Sequence, residues 1–350
     1  MDPVAADADP AELAPSGLRS RRGIAIAALM ALALVTLADV GVRAVVPHMR
    51  PFNNWSDWEA TNKVERIDAL ARRGGASIVL AGSSMMNAAG DPVALGKALG
   101  LRRPIFNASL NGAGTRLMDL WLLHVVVPRL HPRIVVLGVS SRDLNDRGIS
   151  SGDAYRSLRR SPGGRSVSPN LSPTERFETM AEKVSAVVRY RSILRQPSRW
   201  FGTDPRQTAA VVSPLGVPRA IRFLDHPYKI KDDFYPRIVP RMYSNFRIGG
   251  VATRSLDHLV TSLVALKIQV VLVEMPITVD VYAVHPNGLD DYRLFERSLG
   301  AVVSQTGARF FNMVPRFPST LQFGDPLHVN GDGRQRFTAL LADALRAGRA

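Results

Sequence analysis

The sequence predicts an α/β fold: a parallel sheet covered on both faces by helices and preceded by one membrane-spanning helix. Three observations carry this expectation. From Ser77 onward, short apolar runs alternate with longer amphipathic segments, the rhythm of strands joined by helical crossovers. An uninterrupted apolar run stands near the N-terminus. The chain has 350 residues, of which 46% are hydrophobic and 21% charged, enough for one sizeable domain and too apolar for a disordered chain.

Taken in order, residues 1–22 are polar and end in Arg19, Arg21 and Arg22, which reads as a cytoplasmic tail. Residues 23–46 read as the transmembrane helix: Gly23-IAIAALMALALVTLA-Asp39 continues through Val40, Gly41 and Val42 to Arg43. A helix of about 20 residues crosses the ~30 Å hydrocarbon core. Asp39 lies near the far end, where a carboxylate reaches the interface. Its cost there falls below the ~2.5–3.5 kcal/mol of a charge at the bilayer centre. The arginine cluster before the span predicts a cytoplasmic N-terminus and an exported C-terminal domain. A cleaved signal peptide is the competing reading. The long tail with its acidic residues, and the lack of a small-x-small site before Asp39, favour an uncleaved anchor.

Residues 47–70 read as a membrane-proximal stalk, with Trp55 and Trp58 at the interface. Residues 71–350 read as one domain. Its predicted elements are a strand over 77–82, a helix over 91–99, a strand over 104–107, a helix over 115–130 and a strand over 133–141. After a gap come a helix over 255–266, a strand over 269–276, a helix over 290–305, a strand over 309–312 and a helix over 333–347. Residues 148–250 break the rhythm. They are rich in Arg, Pro, Ser and Gly, with one clear helix over 173–194, and read as an insertion over the active-site edge. Whether that insertion is a substrate-binding lid or a solvated elaboration stays open.

Composition narrows the chemistry. The chain has no cysteine, which excludes disulfides, a thiol nucleophile and zinc–thiolate sites. Its formal charge of +15 favours polyanionic partners such as anionic lipid head groups or acidic glycans. Genomic bias toward Arg and Ala explains the same charge equally well. A nucleic-acid partner is not expected, because no helix-turn-helix, zinc-finger or RNA-binding signature is present. The histidines lack close ligand spacing, so no metal and no cofactor is implied.

Four stretches stand at strand ends. Leu80-Ala81-Gly82-Ser83-Ser84-Met85-Met86 follows the first strand, and a serine at a strand-to-helix turn presents its hydroxyl above the sheet. Asn107-Ala108-Ser109-Leu110-Asn111-Gly112-Ala113-Gly114 follows the second, and its glycines let a backbone N–H approach a ligand. Gly138-Val139-Ser140-Ser141-Arg142-Asp143-Leu144-Asn145-Asp146 ends the third. Asp325-Pro326-Leu327-His328-Val329-Asn330-Gly331 lies between the last strand and the last helix. A carboxylate three residues before a histidine can fix one ring nitrogen and leave the other to take a proton from a serine.

Together these stretches resemble the SGNH/GDSL hydrolase superfamily over roughly residues 75–345. The resemblance implies a three-layer, flavodoxin-like parallel sheet and an ester-cleaving serine enzyme. It implies Ser84 as nucleophile, with Ser83 in place of the family's aspartate, and Asp325 and His328 as its partners. Asn107 to Gly112 matches the family's Asn-x-x-x-x-Gly, so the Gly112 N–H joins the Ser84 N–H in the oxyanion hole. The third block departs from the family's Gly-x-Asn-Asp: Arg142-Asp143 falls on Asn-Asp, and the Asn145-Asp146 pair comes three residues later. Either Arg142 is a donor, or Asn145 curls back, or the hole has lost a member, at about 2.7–4 kcal/mol of transition-state stabilisation.

Other histidines compete. Asp225-His226 and Asp257-His258 are adjacent pairs, and neighbours on a helix do not face each other. His285 follows the fourth strand and is a candidate pocket residue; His124 and His131 read as structural. No Gly-x-Ser-x-Gly elbow surrounds Ser84, which argues against an α/β-hydrolase. The expected function is an extracytoplasmic esterase or O-acyltransferase acting on an acylated envelope glycan or lipid. The alternative is an inactive envelope-binding or assembly protein of the same fold.

Overall fold

A computed structural model describes residues 17–49, 52–197, 200–202, 205–219 and 241–347. The chain divides into two compact units: Met1–Phe52 with Met180–Gly202, and Asn53–Thr179 with Thr203–Ala350.

The second unit holds the sheet. Strands β1 (Ile78–Ala81), β2 (Ile105–Asn107), β3 (Ile134–Val139), β4 (Gln269–Glu274) and β5 (Arg309–Asn312) form one parallel sheet in the order β2-β1-β3-β4-β5. Every residue of β1, β2 and β3 is buried, as near-continuous Ile, Val and Leu runs require when helices cover both faces. The register pairs Ile78 with Ile105 on one side and with Ile134 on the other, and Val135 with Val270. This is the flavodoxin-like order, and its direction reverses between β1 and β3. The crevice beyond the carboxyl ends of those two strands is therefore the expected ligand site.

The helices, in chain order, are α1 (Gly17–Val45), α2 (Trp58–Ala71), α3 (Ser84–Ala89), α4 (Pro92–Ala98), α5 (Thr115–Trp121) and α6 (Val127–Leu130). Next come α7 (Ile149–Arg160), α8 (Pro162–Val167), α9 (Pro173–Val184), α10 (Ala186–Leu194) and α11 (Pro205–Ala209). The last are α12 (Val251–Ala265), α13 (Asp280–Ala283), α14 (Leu289–Thr306) and α15 (Gly331–Ala347). The helix expected over 115–130 is present with a π-turn at Leu122–Val126 between α5 and α6.

Two sequence expectations are corrected. The segment read as a stalk contains α2, whose Ala60, Lys63 and Ile67 are fully buried along one face. The lysine in the middle of that stripe conceals the apolar period. Trp55 is also buried, its ring edge-on to Trp121 at 5.7 Å, rather than at an interface. The insertion is more helical than its composition suggests, running through α7 to α11. Its one expected helix breaks at Ser185, whose backbone is extended and whose hydroxyl accepts from the Val188 N–H at 3.3 Å.

In the first unit, the stretch Arg22–His48 is long and apolar enough to cross a membrane. Its Asp39 is not free at the surface. Oδ1 accepts from Ser185 Oγ at 2.8 Å and from the Val187 N–H at 3.1 Å.

Candidate active site

The turn after β1 is shaped by Gly82. Its φ of +149° and the Gly138 carbonyl, 2.8 Å from where a Cβ would sit, leave room for no side chain. The chain can thus turn sharply into α3, and Ser84 becomes the first residue of that helix. A first-turn N–H has no intrahelical acceptor, so the Ser84 N–H remains available.

The loop after β2 is tied to this turn. The N–H groups of Ala108 and Leu110 donate to the Leu80 and Gly82 carbonyls at 2.7 and 3.0 Å. Leu110 to Ala113 closes a turn, with the Ala113 N–H donating to the Leu110 carbonyl at 3.1 Å and Gly112 at φ +73°. A positive φ at that position is the reason for glycine, since open space surrounds it.

Between β5 and α15 the chain returns to the same edge. Asp325 Oδ1 accepts from the Leu327 and His328 N–H groups at 2.8 and 2.9 Å, which curls Asp-x-x-His into a tight turn. His328 Nδ1 lies 2.7 Å from Asp325 Oδ2, and Nε2 lies 2.8 Å from Ser84 Oγ. Asn330 fastens the following residues by donating to the Leu321 carbonyl at 2.7 Å and accepting from the Gly333 N–H at 3.0 Å. Burial alone would raise the Asp325 carboxyl. The charge and hydrogen bond of His328 and the two backbone donors outweigh it, so the carboxyl sits below its ordinary value. The His328 and Asp325 side chains are 18% and 24% exposed, so the unit is open to solvent.

Both candidate donors of the third block make other hydrogen bonds. Arg142 is buried and spends its guanidinium on Asp143 Oδ1 at 3.0 Å, with a longer 3.5 Å contact to the Ala113 carbonyl beside Gly112. Asn145 is occupied at both ends of its amide. Nδ2 donates to the Met242 carbonyl at 2.8 Å, and Oδ1 accepts from the Arg147 and Arg247 N–H groups. Met242 and Arg247 lie about a hundred residues away, which is why the sequence pattern could not assign them.

Sequence reasoning also missed a supporting network behind the Gly112 loop. The buried Lys63 ammonium donates to Asn87 Oδ1 at 2.9 Å and to the Ser109 carbonyl, and pairs with Glu59 at 3.1 Å. Glu59 accepts from Asn87 Nδ2 at 2.7 Å and from the Asn111 N–H at 2.9 Å. The available signal was Asn87 one turn after Ser84, on the same helix. Ser83 Oγ is buried without a partner among the described residues. Beside Leu110 and Asn111 a cavity of about 580 Å³ opens, lined also by Leu117, Leu158 and Asp57. Burial and the neighbouring Glu59 push the Asp57 carboxyl up to about 6.

Of the competing histidines, His258 is exposed and pairs with Asp119 at 2.9 Å, not with Asp257. His285 is buried, with Nε2 2.9 Å from Ser141 Oγ. His131 caps α6 in a left-handed conformation, and His124 lies in the π-turn. Asp225-His226 lies outside the described residues. Among the described residues no group of three or more His, Cys, Asp or Glu side chains could hold a metal ion.

No family model and no curated protein sequence matches the chain. Solved structures do. The psychrotrophic esterase EstA from Pseudoalteromonas sp. is 14% identical, with a TM-score of 0.38, over 77% of this chain and 97% of that one. A GDSL-like lipase from Bacteroides thetaiotaomicron is 10% identical, with a TM-score of 0.38, over 84% and 99%. A carbohydrate acetylesterase family member from Sinorhizobium meliloti is 12% identical, with a TM-score of 0.34, over 77% and 98%.

Proposed function

We propose that this chain is a membrane-anchored SGNH-type serine esterase or O-acyltransferase, with its catalytic domain outside the cytoplasm. Its substrate would be an acyl ester of an envelope glycan or lipid. The observation that carries the reading is the continuous chain from Ser84 Oγ to His328 Nε2 at 2.8 Å and from His328 Nδ1 to Asp325 at 2.7 Å. The span with the arginines before it suits an exported domain, and the basic chain suits an anionic envelope surface.

In the proposed mechanism His328 Nε2 accepts the Ser84 hydroxyl proton as Oγ attacks the ester carbonyl. Asp325 holds the Nδ1–H tautomer and stabilises the imidazolium that forms. The Ser84 and Gly112 N–H groups hold the oxyanion. Collapse expels the alcohol, which takes the proton from His328 and leaves an acyl group on Ser84. Water or a sugar hydroxyl then attacks the acyl-enzyme, giving up its proton to His328 and restoring the free Ser84 hydroxyl.

A fluorophosphonate probe tests the assignment: it should label wild type and not Ser84→Ala. Acetyl-ester turnover with and without a glycan acceptor then separates transferase from hydrolase. The second reading, an inactive envelope-binding protein, is favoured by one observation: Arg142 and Asn145 are both engaged elsewhere. Folded wild type that resists the probe would establish it.

A further inference from the structure

We infer that helix α9 is a membrane-surface helix, lying in the outer boundary of the bilayer with its apolar stripe among the acyl chains. This rests on the reading of Arg22–His48 as a membrane span and is independent of the chemistry at Ser84.

The helix is built for such a boundary. Phe177, Met180 and Val184 are 73%, 67% and 71% exposed, and their spacing puts them on one face. Arg176 and Lys183 are exposed beside this stripe. The three glutamates of the same helix turn elsewhere and each meets an arginine: Glu175 with Arg159, Glu178 with Arg165 at 3.5 Å, Glu182 with Arg191 at 2.7 Å. What remains outward is apolar in the middle and cationic at the flank, the arrangement that sits between acyl chains and anionic head groups.

Its depth is fixed independently. Asp39 stands 17 residues beyond Arg22 (39 − 22). At 1.5 Å per residue this is about 26 Å, which places its carboxylate near the outer edge of a ~30 Å core. At that level Asp39 accepts from Ser185 Oγ and the Val187 N–H, at the N-terminus of α10. Arg43, held by Asp39 at 2.8 Å, donates to the Val184 carbonyl at 2.6 Å, at the C-terminus of α9. An anion at one helix start and a cation at the other helix end both suit the helix dipoles. This clasp explains why a carboxylate is found in the span, and it holds Val184 where the anchor leaves the bilayer. An apolar face at that depth meets lipid.

The chain has no cysteine, so single nitroxide labels can be introduced without background. The full chain is placed in vesicles of phosphatidylcholine and phosphatidylglycerol, and collisions with oxygen and with a water-soluble nickel chelate are compared. Labels at Met180→Cys and Val184→Cys should collide more with oxygen than with the chelate. A label at Val93→Cys, on the exposed face of α4, should show the reverse order, and one at Leu34→Cys should read as deep acyl chain. Chelate-dominated labels at Met180→Cys and Val184→Cys, beside a deep Leu34→Cys, would overturn the inference and leave the anchor intact. Labels shielded from both reagents would also overturn it, assigning the face to protein. A chelate-dominated Leu34→Cys would remove the span itself.

Discussion

Two serine–histidine hydrogen bonds of nearly equal length lie in the sheet unit, Ser84–His328 at 2.8 Å and Ser141–His285 at 2.9 Å. They differ in what holds the other ring nitrogen. His328 Nδ1 meets the Asp325 carboxylate, whereas His285 Nδ1 donates to the Val281 carbonyl at 2.8 Å. Both partners fix a tautomer, but only the carboxylate compensates a positive ring. They differ also in surroundings. His285 is enclosed by Tyr243 and Phe246 ring edges at 4.7 and 4.9 Å, and burial pushes its pKa down despite the Val281 bond and the nearby Asp291. His328 opens to solvent. A proton taken by His285 would be a desolvated charge; one taken by His328 is paired. A close Ser–His contact is therefore not a catalytic unit by itself.

The largest expected effect tests this contrast directly. Ser84→Ala should abolish probe labelling and lower ester turnover by about 10⁴-fold or more. Asp325→Asn comes next. With the fold intact, the wrong His328 tautomer should lower kcat by about 10⁴-fold, the loss this change produces in a Ser-His-Asp triad. A variant retaining near-normal turnover would show that His328 needs no carboxylate, and the comparison with His285 would lose its basis.

Stability tests follow. Lys63→Met leaves Glu59 buried without its cation and should destabilise the domain by about 3–5 kcal/mol in denaturant unfolding. Adding Glu59→Gln should restore part of that loss. Near the Ser141–His285 pair, Tyr292 donates to Glu274 at 2.5 Å and packs against His285 at 5.8 Å. Burial raises the Glu274 carboxyl from 4.5 to about 7, against the opposing Tyr292 bond. Between those values the folded state holds a proton that the unfolded state has lost. This group's contribution is thus present below pH 4.5 and lost as pH rises toward 7, by about 3 kcal/mol at about 1.4 kcal/mol per unit. Glu274→Gln should flatten that slope.

How far the sequence reaches follows the same division between local and distant partners. The strands were legible because burial on both faces makes each an apolar run, as Ile134–Val139 shows. Ser84 was legible because it sits in a short motif at a strand end, and Asp325 and His328 because they share one before the last helix; the structure brings the three together. Lys63 was not, because a cation on a buried face looks like solvated surface until Glu59 and Asn87 are seen around it. Asn145 reads as a candidate donor until Met242 and Arg247 arrive from the far side of the insertion. His285 likewise reads as a pocket residue until Ser141, 144 positions away, closes on it.

The smallest effect is expected at that second pair. Ser141→Ala removes the hydroxyl that meets His285 Nε2 and leaves a buried acceptor unpaired, at about 1–3 kcal/mol. Because neither residue touches Ser84, probe labelling and turnover should stay at the wild-type level while the unfolding midpoint falls. Loss of labelling in a folded Ser141→Ala variant would make the buried serine part of the chemistry, and the enclosure of His285 would then have to open during turnover. Unchanged stability would show that the imidazole Nε2 finds another donor once the Ser141 hydroxyl is gone.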